Sequence, residues 1–255
     1  MQRAELLKLE PAGLYCSAGD FFIDPLRPVP RALITHAHAD HARPGHAHVL
    51  ATADTLAIMA IRYGENFAGA TQAVRYGESL NLGGVEVSFH PAGHVLGSAQ
   101  MLLARGSART VVSGDYKRER DPTCEAFVPL ACDTFISEAT FGLPVFRHAQ
   151  THVEIDKLLA SQRLFPERTH LVGAYALGKA QRVIALLREA GYDRPIYVHG
   201  ALEKITAYYQ AVGINLGDVR KATGAGALPG CSRWAASFEI ATTVTSKRWL
   251  SNWKS

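Results

Sequence analysis

The chain has few of the residues that build disulfide frameworks, and it has no long apolar run. Its 255 residues include only four cysteines, and no two of them form a C-x-x-C pair. The sequence therefore indicates neither a disulfide scaffold nor a zinc ribbon. No apolar run approaches the roughly 18 to 20 residues of a membrane span, and the first residues do not lead into a signal-peptide core. We expect a cytoplasmic protein that makes no membrane contact.

Charge of either sign is also modest. Charged residues make up 20% of the chain, and the net charge is +4 at pH 7. This small excess is compatible with a polyanionic partner but does not establish one. Hydrophobic residues make up 47% of the chain, which is enough to build the core of one elaborate domain or of two.

Histidine, in contrast, is concentrated in one segment. Five of the 11 histidines fall between positions 36 and 48, and residues 36–41 have the spacing His-x-His-x-Asp-His. The run before them is apolar and β-rich, so we expect His36 and His38 where a strand leaves its sheet, with both side chains on one side. Zinc prefers four ligands, so these two histidines need a further ligand from elsewhere in the chain.

The neighbouring Asp40 and His41 offer oxygen and nitrogen donors that suit a second ion beside the first. Two metals about 3.5–4 Å apart can clamp the attacking and leaving oxygens of a phosphodiester displacement. A histidine-rich loop can also be polar surface or a casual metal binder. The residues that follow favour a two-metal hydrolase site over this alternative.

Three further residues each follow an apolar, strand-like run. His94 lies in a glycine-containing turn and is the predicted third ligand of the first metal. Asp115 could bridge the two ions or bind the second. Asp24 either forms an Asp-Pro turn or orients a ligand histidine. His90 is the nearest competitor of His94, and we interpret it as structural.

The order of strand and helix signals predicts an α/β protein. The first half shows short strands and a helix that begins after Thr52 and ends at Gly64, with a largely antiparallel character. From Leu171 onwards strands and helices alternate, which predicts a small parallel sheet. We expect three segments, at 1–144, 145–230 and 231–255.

These motifs resemble those of the metallo-β-lactamase superfamily, and among its members the β-CASP nucleases. The ligand-like residues, in chain order, are His36, His38, Asp40, His41, His94 and Asp115. The β-CASP-like segments are Gly114–Arg118, Ser137–Gly142, Tyr175–Arg182 and Val198–Leu202. The resemblance covers roughly residues 10 to 228 and is greatest to bacterial exonucleases associated with ATP-dependent DNA ligases, relatives of the Artemis-type repair nucleases.

The resemblance implies an αββα metallo-β-lactamase sandwich core at 1–144 and a partial β-CASP cap, a parallel α/β domain, at 145–230. It implies one or two zinc ions, with manganese as an alternative. The first ion would be bound by His36, His38 and His94, and the second by Asp40, His41 and a bridging Asp115. Asp40 and Asp115 would be the catalytic carboxylates, with Asp40 handling protons. Asp24 and Glu138 would orient ligand histidines.

The function implied is that of a DNA exonuclease of repair, which hydrolyses phosphodiester bonds with a zinc-bound hydroxide. DNA is the expected substrate, and an ATP-dependent DNA ligase and a helicase are the expected partners. A ribonuclease of the same superfamily and a catalytically silent fragment that binds nucleic acid remain alternatives. A thioester or lactam hydrolase is disfavoured because the second segment resembles the nuclease cap.

Basic residues beside the site motifs could contact the nucleic-acid backbone. They are Lys117, Arg118 and Arg120 after Asp115, and Lys179 and Arg182 near a predicted helix start. The alternative is that these side chains are only solvated surface.

The C-terminal segment departs from the family pattern. The similar enzymes continue with an Asp-His motif and a Thr-His-Gly-like segment, whereas here no histidine follows Gly230 and all three tryptophans lie beyond it. We expect a truncated or altered end at 231–255, with weak occupancy of the second metal position and reduced turnover. A genuine terminal helix or strand is the alternative.

Overall fold

The structure is a computed structural model and describes residues 6–147, 149–222 and 238–242. The chain divides into two compact units, Met1–His148 and Ala149–Ser255. In the described ranges, every helix is too short or too polar to cross a bilayer. The identification of the segments 1–144 and 145–230 as a metallo-β-lactamase core and a partial β-CASP cap stays a prediction.

The first sheet of the first unit has six strands among the described residues, arranged in chain order. They are β1 (Lys8–Glu10), β2 (Gly13–Cys16), β3 (Phe21–Ile23), β4 (Arg31–Leu33), β5 (His46–Ala51) and β6 (Ala68–Ala73). The pairs β1–β2 and β2–β3 are antiparallel, whereas the pairs from β3 to β6 are parallel.

The expectation of a largely antiparallel first half is therefore wrong for this sheet. The connections from β4 to β5 and from β5 to β6 each span roughly a dozen residues or more, which is long enough to return the chain for a parallel pairing. Short apolar runs predict strands but do not reveal their direction, which explains the error.

The second sheet has five strands among the described residues, in the order β11-β10-β9-β8-β7. Their bounds are β7 (Ser79–Leu82), β8 (Val85–Pro91), β9 (Ala99–Arg105), β10 (Ala108–Val112) and β11 (Thr134–Ile136). Neighbours are antiparallel except for β10 and β11. Because β8, β9 and β10 alternate direction, β8 and β10 end at the same edge of the sheet.

The core of this unit lies between the two sheets. Phe21 and Leu33 of the first sheet and Phe89, Met101 and Leu103 of the second belong to one cluster of buried side chains. Buried residues of β8 alternate with more exposed ones, whereas β9 is buried along its first five residues. Because buried side chains of both sheets belong to this one cluster, the sheets form a sandwich. The predicted α/β class with a sandwich core is confirmed.

Helix α1 (Ala53–Tyr63) connects β5 and β6. The Thr52 hydroxyl accepts a hydrogen bond from Thr55 N, and Gly64 ends the helix at φ 88°. Both ends agree with the sequence prediction, because a hydroxyl satisfies a free amide at the start and glycine tolerates the left-handed region at the end.

The second unit carries a parallel sheet and three helices among its described residues. They are α2 (Thr151–Leu164), β12 (His170–Ala174), α3 (Lys179–Glu189), β13 (Ile196–Val198), α4 (Gly200–Ala211), β14 (Val219–Lys221) and β15 (Phe238–Thr242). The strand order is β12-β15-β13-β14, and every pair is parallel. The predicted parallel sheet is confirmed.

Two features of this unit differ from the sequence prediction. Helix α2 was not predicted, because Ile155 and Gln162 are its buried residues and leave little apolar periodicity to detect. Strand β15 comes from the segment where an altered end was expected, and it lies between β12 and β13. The rest of that segment, residues 231–237 and 243–255, lies outside the described residues, so the expectation of an altered end stays a prediction.

The inter-sheet core gives a stability prediction. Phe89 is fully buried, so Phe89→Ala is expected to lower the free energy of unfolding by about 3–5 kcal/mol, through lost burial and a residual cavity. Urea denaturation followed by circular dichroism measures the change. Leu9→Ala, at a side chain that is 82% exposed, is the control and should change little. Equal effects of the two substitutions would contradict a core between the sheets.

Candidate metal centre

The candidate ligands come from three loops that each follow a strand of the first unit. His36 and His38 follow β4, His94 follows β8, and Asp115 follows β10. Strand β4 belongs to the first sheet, and the other two belong to the second. The folded sandwich therefore brings together residues that are almost 80 positions apart in the chain.

Four side chains form a group that could hold a metal ion among the described residues. They are His36, His38, His94 and Asp115, and one donor atom of each lies within 4.8 Å of the others. His38 Nδ1 is 3.0 Å from His36 Nε2 and 3.2 Å from His94 Nε2. Asp115 Oδ2 is 3.7 Å from His36 Nε2 and 3.5 Å from His94 Nε2.

These spacings fit one zinc-sized cation. Tetrahedral ligands at roughly 2.0–2.1 Å from zinc are separated from each other by about 3.3 Å. Four of the six distances between donor atoms, from 3.0 to 3.7 Å, lie around this value, and all six are within 4.8 Å. Three imidazole nitrogens and one carboxylate oxygen also form a donor set that zinc accepts. The group is therefore suited to a divalent metal ion.

Two histidines of this group, His36 and His94, are held in the uncharged form that a metal requires. Burial lowers the pKa of His94 to about 4, and the charge of His38 adds to the effect. Burial also lowers the pKa of His36 well below its usual value, since this side chain is fully buried. Asp115 has a lowered pKa, chiefly because of its hydrogen bond with His41. Neutral imidazoles and an ionised carboxylate at neutral pH suit cation binding.

The two remaining predicted ligands lie beside this group. His41 Nε2 is 3.3 Å from Asp115 Oδ1 and 3.9 Å from Asp40 Oδ2. Asp115 therefore directs one carboxylate oxygen to the histidine group and the other to His41. The Asp40 side chain is 77% exposed. The structure thus brings all six predicted ligands together, and the role of Asp40, His41 and Asp115 at a second ion stays a prediction.

His41 itself is positively charged in this arrangement. Burial alone would lower its pKa, but hydrogen bonds to Asp115 and Asp24 and the charges of both carboxylates outweigh burial and raise the pKa to about 10. An imidazolium therefore lies between two carboxylates when no metal is bound. It supplies the positive charge that those carboxylates require.

Asp24 contacts two parts of the histidine segment. Its Oδ1 accepts a hydrogen bond from Thr35 N at 2.7 Å, and its Oδ2 accepts from the Thr35 hydroxyl at 2.6 Å. Oδ2 also lies 2.8 Å from His41 Nδ1. The contact with His41 is the geometry expected of a carboxylate that orients a ligand histidine.

Glu138 is near enough that its charge raises the pKa of His94, and its Oε2 accepts from Thr140 N at 3.2 Å.

Helix α1 holds two of the ligand loops through its two ends. The Arg62 guanidinium in the last turn donates to the carbonyl of Ala37, between His36 and His38. At the first turn, the hydroxyls of Thr52 and Thr55 donate to the carbonyl of Gly97 at 2.6 and 3.0 Å. The sequence indicated Thr52 only as the start of the helix, and it did not indicate the contacts of Thr52, Thr55 and Arg62 with the loops, because these residue types are common on any helix.

The His94 loop is shaped by small residues. Ser98 Oγ accepts hydrogen bonds from the backbone N–H groups of His94 and Val95, both at 3.1 Å. Gly93 has φ +72°, and a Cβ there would lie against the carbonyl of Lys117. Glycine is therefore required where this loop touches the segment after Asp115. Ser98 follows His94 by four positions, but nothing in the sequence indicated its contacts.

The basic residues occupy different environments. Lys117 Nζ lies 3.8 and 3.9 Å from carboxylate oxygens of Glu119 and Asp121, whereas Arg118 and Arg120 are exposed. In the second unit, Lys179 is exposed and its ammonium lies 4.9 Å from the centre of the Tyr175 ring. Arg182 is half-buried and donates to the Thr151 hydroxyl at 2.9 Å.

His90 lies 2.9 Å from the Ser88 hydroxyl and outside the four-residue group.

The electrostatics of His41 lead to a pH prediction. In the metal-free protein, His41 should titrate near pH 10 instead of near the usual 6.5, and nuclear magnetic resonance of its ring measures this. Because the folded pKa is the higher one, protonation stabilises the fold fully below about pH 6.5, and this stabilisation is lost as pH rises through 10. Asp24→Asn should lower the pKa of His41. Titration near 6.5 in the unaltered protein would contradict the described geometry.

The contact of helix α1 with Ala37 leads to a second prediction. Arg62→Met keeps an apolar side chain but leaves the buried carbonyl of Ala37 without its donor. We expect zinc binding to be about 10-fold weaker, which is the lower end of the roughly 10- to 100-fold range for loss of an outer contact of a metal site. Competition with a coloured chelator measures the affinity. Arg75→Met, at an exposed arginine, is the matched control. Unchanged binding in both variants would show that the helix does not hold the loop.

Comparison with known proteins finds several distant relatives of this chain. No protein-family model matches the chain. It is 29% identical over 206 residues to a "Probable DNA ligase" of Opitutus terrae, a match that covers 79% of this chain and 20% of the relative. It is 30% identical over 201 residues to a ribonuclease of Thermus thermophilus, covering 69% of this chain and 46% of the relative. An endoribonuclease of Mycosarcoma maydis is 28% identical over 235 residues, a match that covers 72% of this chain and 26% of the relative.

The chain thus spans less than half the length of these curated relatives. Among solved structures, a protein of unknown function from Enterococcus faecalis shares the fold at a TM-score of 0.52 and 10% identity, over 86% of this chain and 59% of that one. The fold, the His/Asp group and these matches together make the chain a distant homologue within the metallo-β-lactamase/β-CASP superfamily.

Proposed function

We propose that this protein is a metal-dependent hydrolase of phosphodiester bonds in nucleic acid, and that its substrate is DNA. The observation that carries the proposal is the group of three imidazoles and one carboxylate whose donor atoms lie within 4.8 Å of each other. A carboxylate shared with a second His/Asp set, as Asp115 is shared here, suits a pair of ions. Zinc fits the donor set, and manganese is the alternative.

Divalent ions at such a site supply Lewis acidity to a phosphoryl oxygen and to the attacking water. The chain would hold them with His36, His38 and His94 on one side of Asp115, and with Asp40 and His41 on the other. Asp24 keeps the His41 ring in place through the hydrogen bond to Nδ1. Burial lowers the pKa of His36 and of His94 and so keeps both rings uncharged.

Asp40 is the proposed proton acceptor for the attacking water. Its side chain is 77% exposed, and its Oδ2 lies 3.9 Å from His41 Nε2. A carboxylate in this position can reach solvent and the site at the same time, so it can pass a proton outwards. Asp115 is the second proposed catalytic carboxylate, because it contacts both halves of the site.

The exposed side chains of Arg118 and Arg120 are the proposed contacts for phosphates next to the scissile bond. They follow Asp115 within five positions, so their charge lies close to the metal centre along the chain. The Lys117 side chain is only 20% exposed, which makes it the weaker candidate of the three. Lys179 and Arg182 stay predictions for backbone contacts in the second unit.

DNA is preferred over RNA because the match to the relative named "Probable DNA ligase" covers 79% of this chain, more than either ribonuclease match does. That name also supports association with a DNA ligase, which we propose as a partner. The proposals of a helicase partner, of exonuclease activity and of a role in DNA repair rest on the resemblance of the sequence motifs to those of the DNA ligase-associated exonucleases. The ribonuclease names of two relatives make RNA cleavage the second candidate.

The test is cleavage of matched end-labelled DNA and RNA strands in the presence of zinc or manganese. We expect cleavage of DNA that chelator abolishes and added metal restores. His36→Ala and Asp115→Asn should lower the rate by more than the roughly 10- to 100-fold that follows loss of an outer partner of a metal ligand. His90→Ala, outside the four-residue group, is the control and should retain activity.

Other outcomes of this experiment decide between the candidates. Cleavage of RNA alone would replace the DNA assignment with the ribonuclease one. Metal binding without cleavage of either strand, together with binding of nucleic acid by the His36→Ala variant, would identify a silent binding fragment and overturn the proposed activity.

A further inference from the structure

The hydroxyl of Thr35 lies between a carboxylate and a metal-site histidine. It donates to Asp24 Oδ2 at 2.6 Å, and it lies 3.0 Å from His36 Nδ1. Thr35 is only 1% exposed and His36 is fully buried. Because both side chains are buried, this hydroxyl is the natural partner for His36 Nδ1.

Counting protons fixes the direction of both hydrogen bonds. A threonine hydroxyl has one proton, and the Asp24 carboxylate can only accept, so that proton is directed to Asp24. The hydroxyl can then only accept from His36, which requires the proton of the neutral ring to be on Nδ1. His36 Nε2 consequently presents its lone pair to His38 and Asp115, where the ion would bind.

The same carboxylate acts directly on His41. Asp24 Oδ2 lies 2.8 Å from His41 Nδ1, which leaves Nε2 of that ring directed at Asp115 Oδ1 at 3.3 Å. Asp24 therefore reaches one histidine on each side of Asp115. It reaches His41 by contact and His36 through the Thr35 hydroxyl.

We propose that Thr35 is a positioning residue of the metal site, whose hydroxyl connects Asp24 to His36 and holds that ring in the tautomer that binds metal. This inference extends the proposed function, because it concerns how the same site is prepared for its ion. It depends on metal binding and does not depend on nucleic-acid cleavage.

The surroundings of Thr35 keep its hydroxyl in this position. Gly114 has φ +56°, and a Cβ built there would lie 2.7 Å from both Cβ and Oγ1 of Thr35. The backbone before Asp115 therefore packs directly against the threonine side chain. The carbonyl of Thr35 accepts from Ala99 N at 2.8 Å, and its own N–H donates to Asp24. The residue is thus fixed from both sheets, and little freedom remains for another rotamer.

Three threonine variants, together with Asp24→Asn, test the proposal on the full chain. Thr35→Val keeps the shape and removes the hydroxyl, whereas Thr35→Ser keeps the hydroxyl. Thr123→Val is the matched control, because Thr123 makes a similar pair of hydrogen bonds to Asp121, at 2.9 Å from its N–H and 2.6 Å from its hydroxyl. Zinc affinity is measured by competition with a chelator, and the tautomer of His36 by ¹⁵N resonance of the imidazoles in the metal-free protein.

Among the threonine variants, the loss of zinc affinity should be confined to Thr35→Val. Thr35→Val should bind zinc about 10- to 100-fold more weakly, the usual effect of removing an outer partner of a ligand histidine. In this variant the ¹⁵N resonances of His36 should no longer show the proton on Nδ1, whereas the ¹⁵N resonances of His41 should stay unchanged. Thr35→Ser and Thr123→Val should behave like the unaltered chain. Asp24→Asn should change the signatures of both histidines.

Unchanged zinc affinity and an unchanged His36 tautomer in folded Thr35→Val would overturn the proposal. Circular dichroism establishes that each variant is folded. If valine prevents folding, Thr35→Ala serves as the second variant, and failure of Thr35→Ser to restore affinity relative to alanine would equally overturn it. An absence of nuclease activity would contradict only the proposed function, since neither measurement uses nucleic acid.

Discussion

The Asp24 carboxylate is the contact on which the rest of the metal centre depends. It accepts hydrogen bonds from the backbone and hydroxyl of Thr35, and it pairs with His41. These bonds join the end of β3 to the segment after β4, which are neighbours in the first sheet. Without them, the segment that carries His36 and His41 would lose the carboxylate that joins it to the end of β3.

Rigidity at this site comes from contacts that cross between elements. Helix α1 contacts the carbonyl of Ala37 at one end and the carbonyl of Gly97 at the other. Glycines 93 and 114 allow the loops to touch where a side chain would not fit. The result is a group of donors that is assembled before any ion arrives, so metal binding need not bear the cost of ordering three loops.

The sequence predicted the ligands better than it predicted the scaffold around them. The spacing of the histidine segment, with His94 and Asp115 after later strands, was enough to expect that these residues meet, because side chains at strand ends gather at one edge of a sandwich. The parallel pairs of the first sheet were not foreseen, since strand direction depends on tertiary connections. The contacts of Thr35 and Arg62 were missed for a similar reason: a common residue type gains its role only from what the fold places beside it.

The backbone at Asp24 has a consequence for how its charge can be studied. Its φ of 45° lies in the left-handed region, which asparagine and aspartate tolerate better than other residues with a side chain. Asparagine therefore preserves the local turn while removing the negative charge, whereas alanine disturbs the turn and the charge together. The same constraint narrows the residues that could occupy this position during divergence of the chain. Position 24 is therefore constrained by conformation as well as by electrostatics.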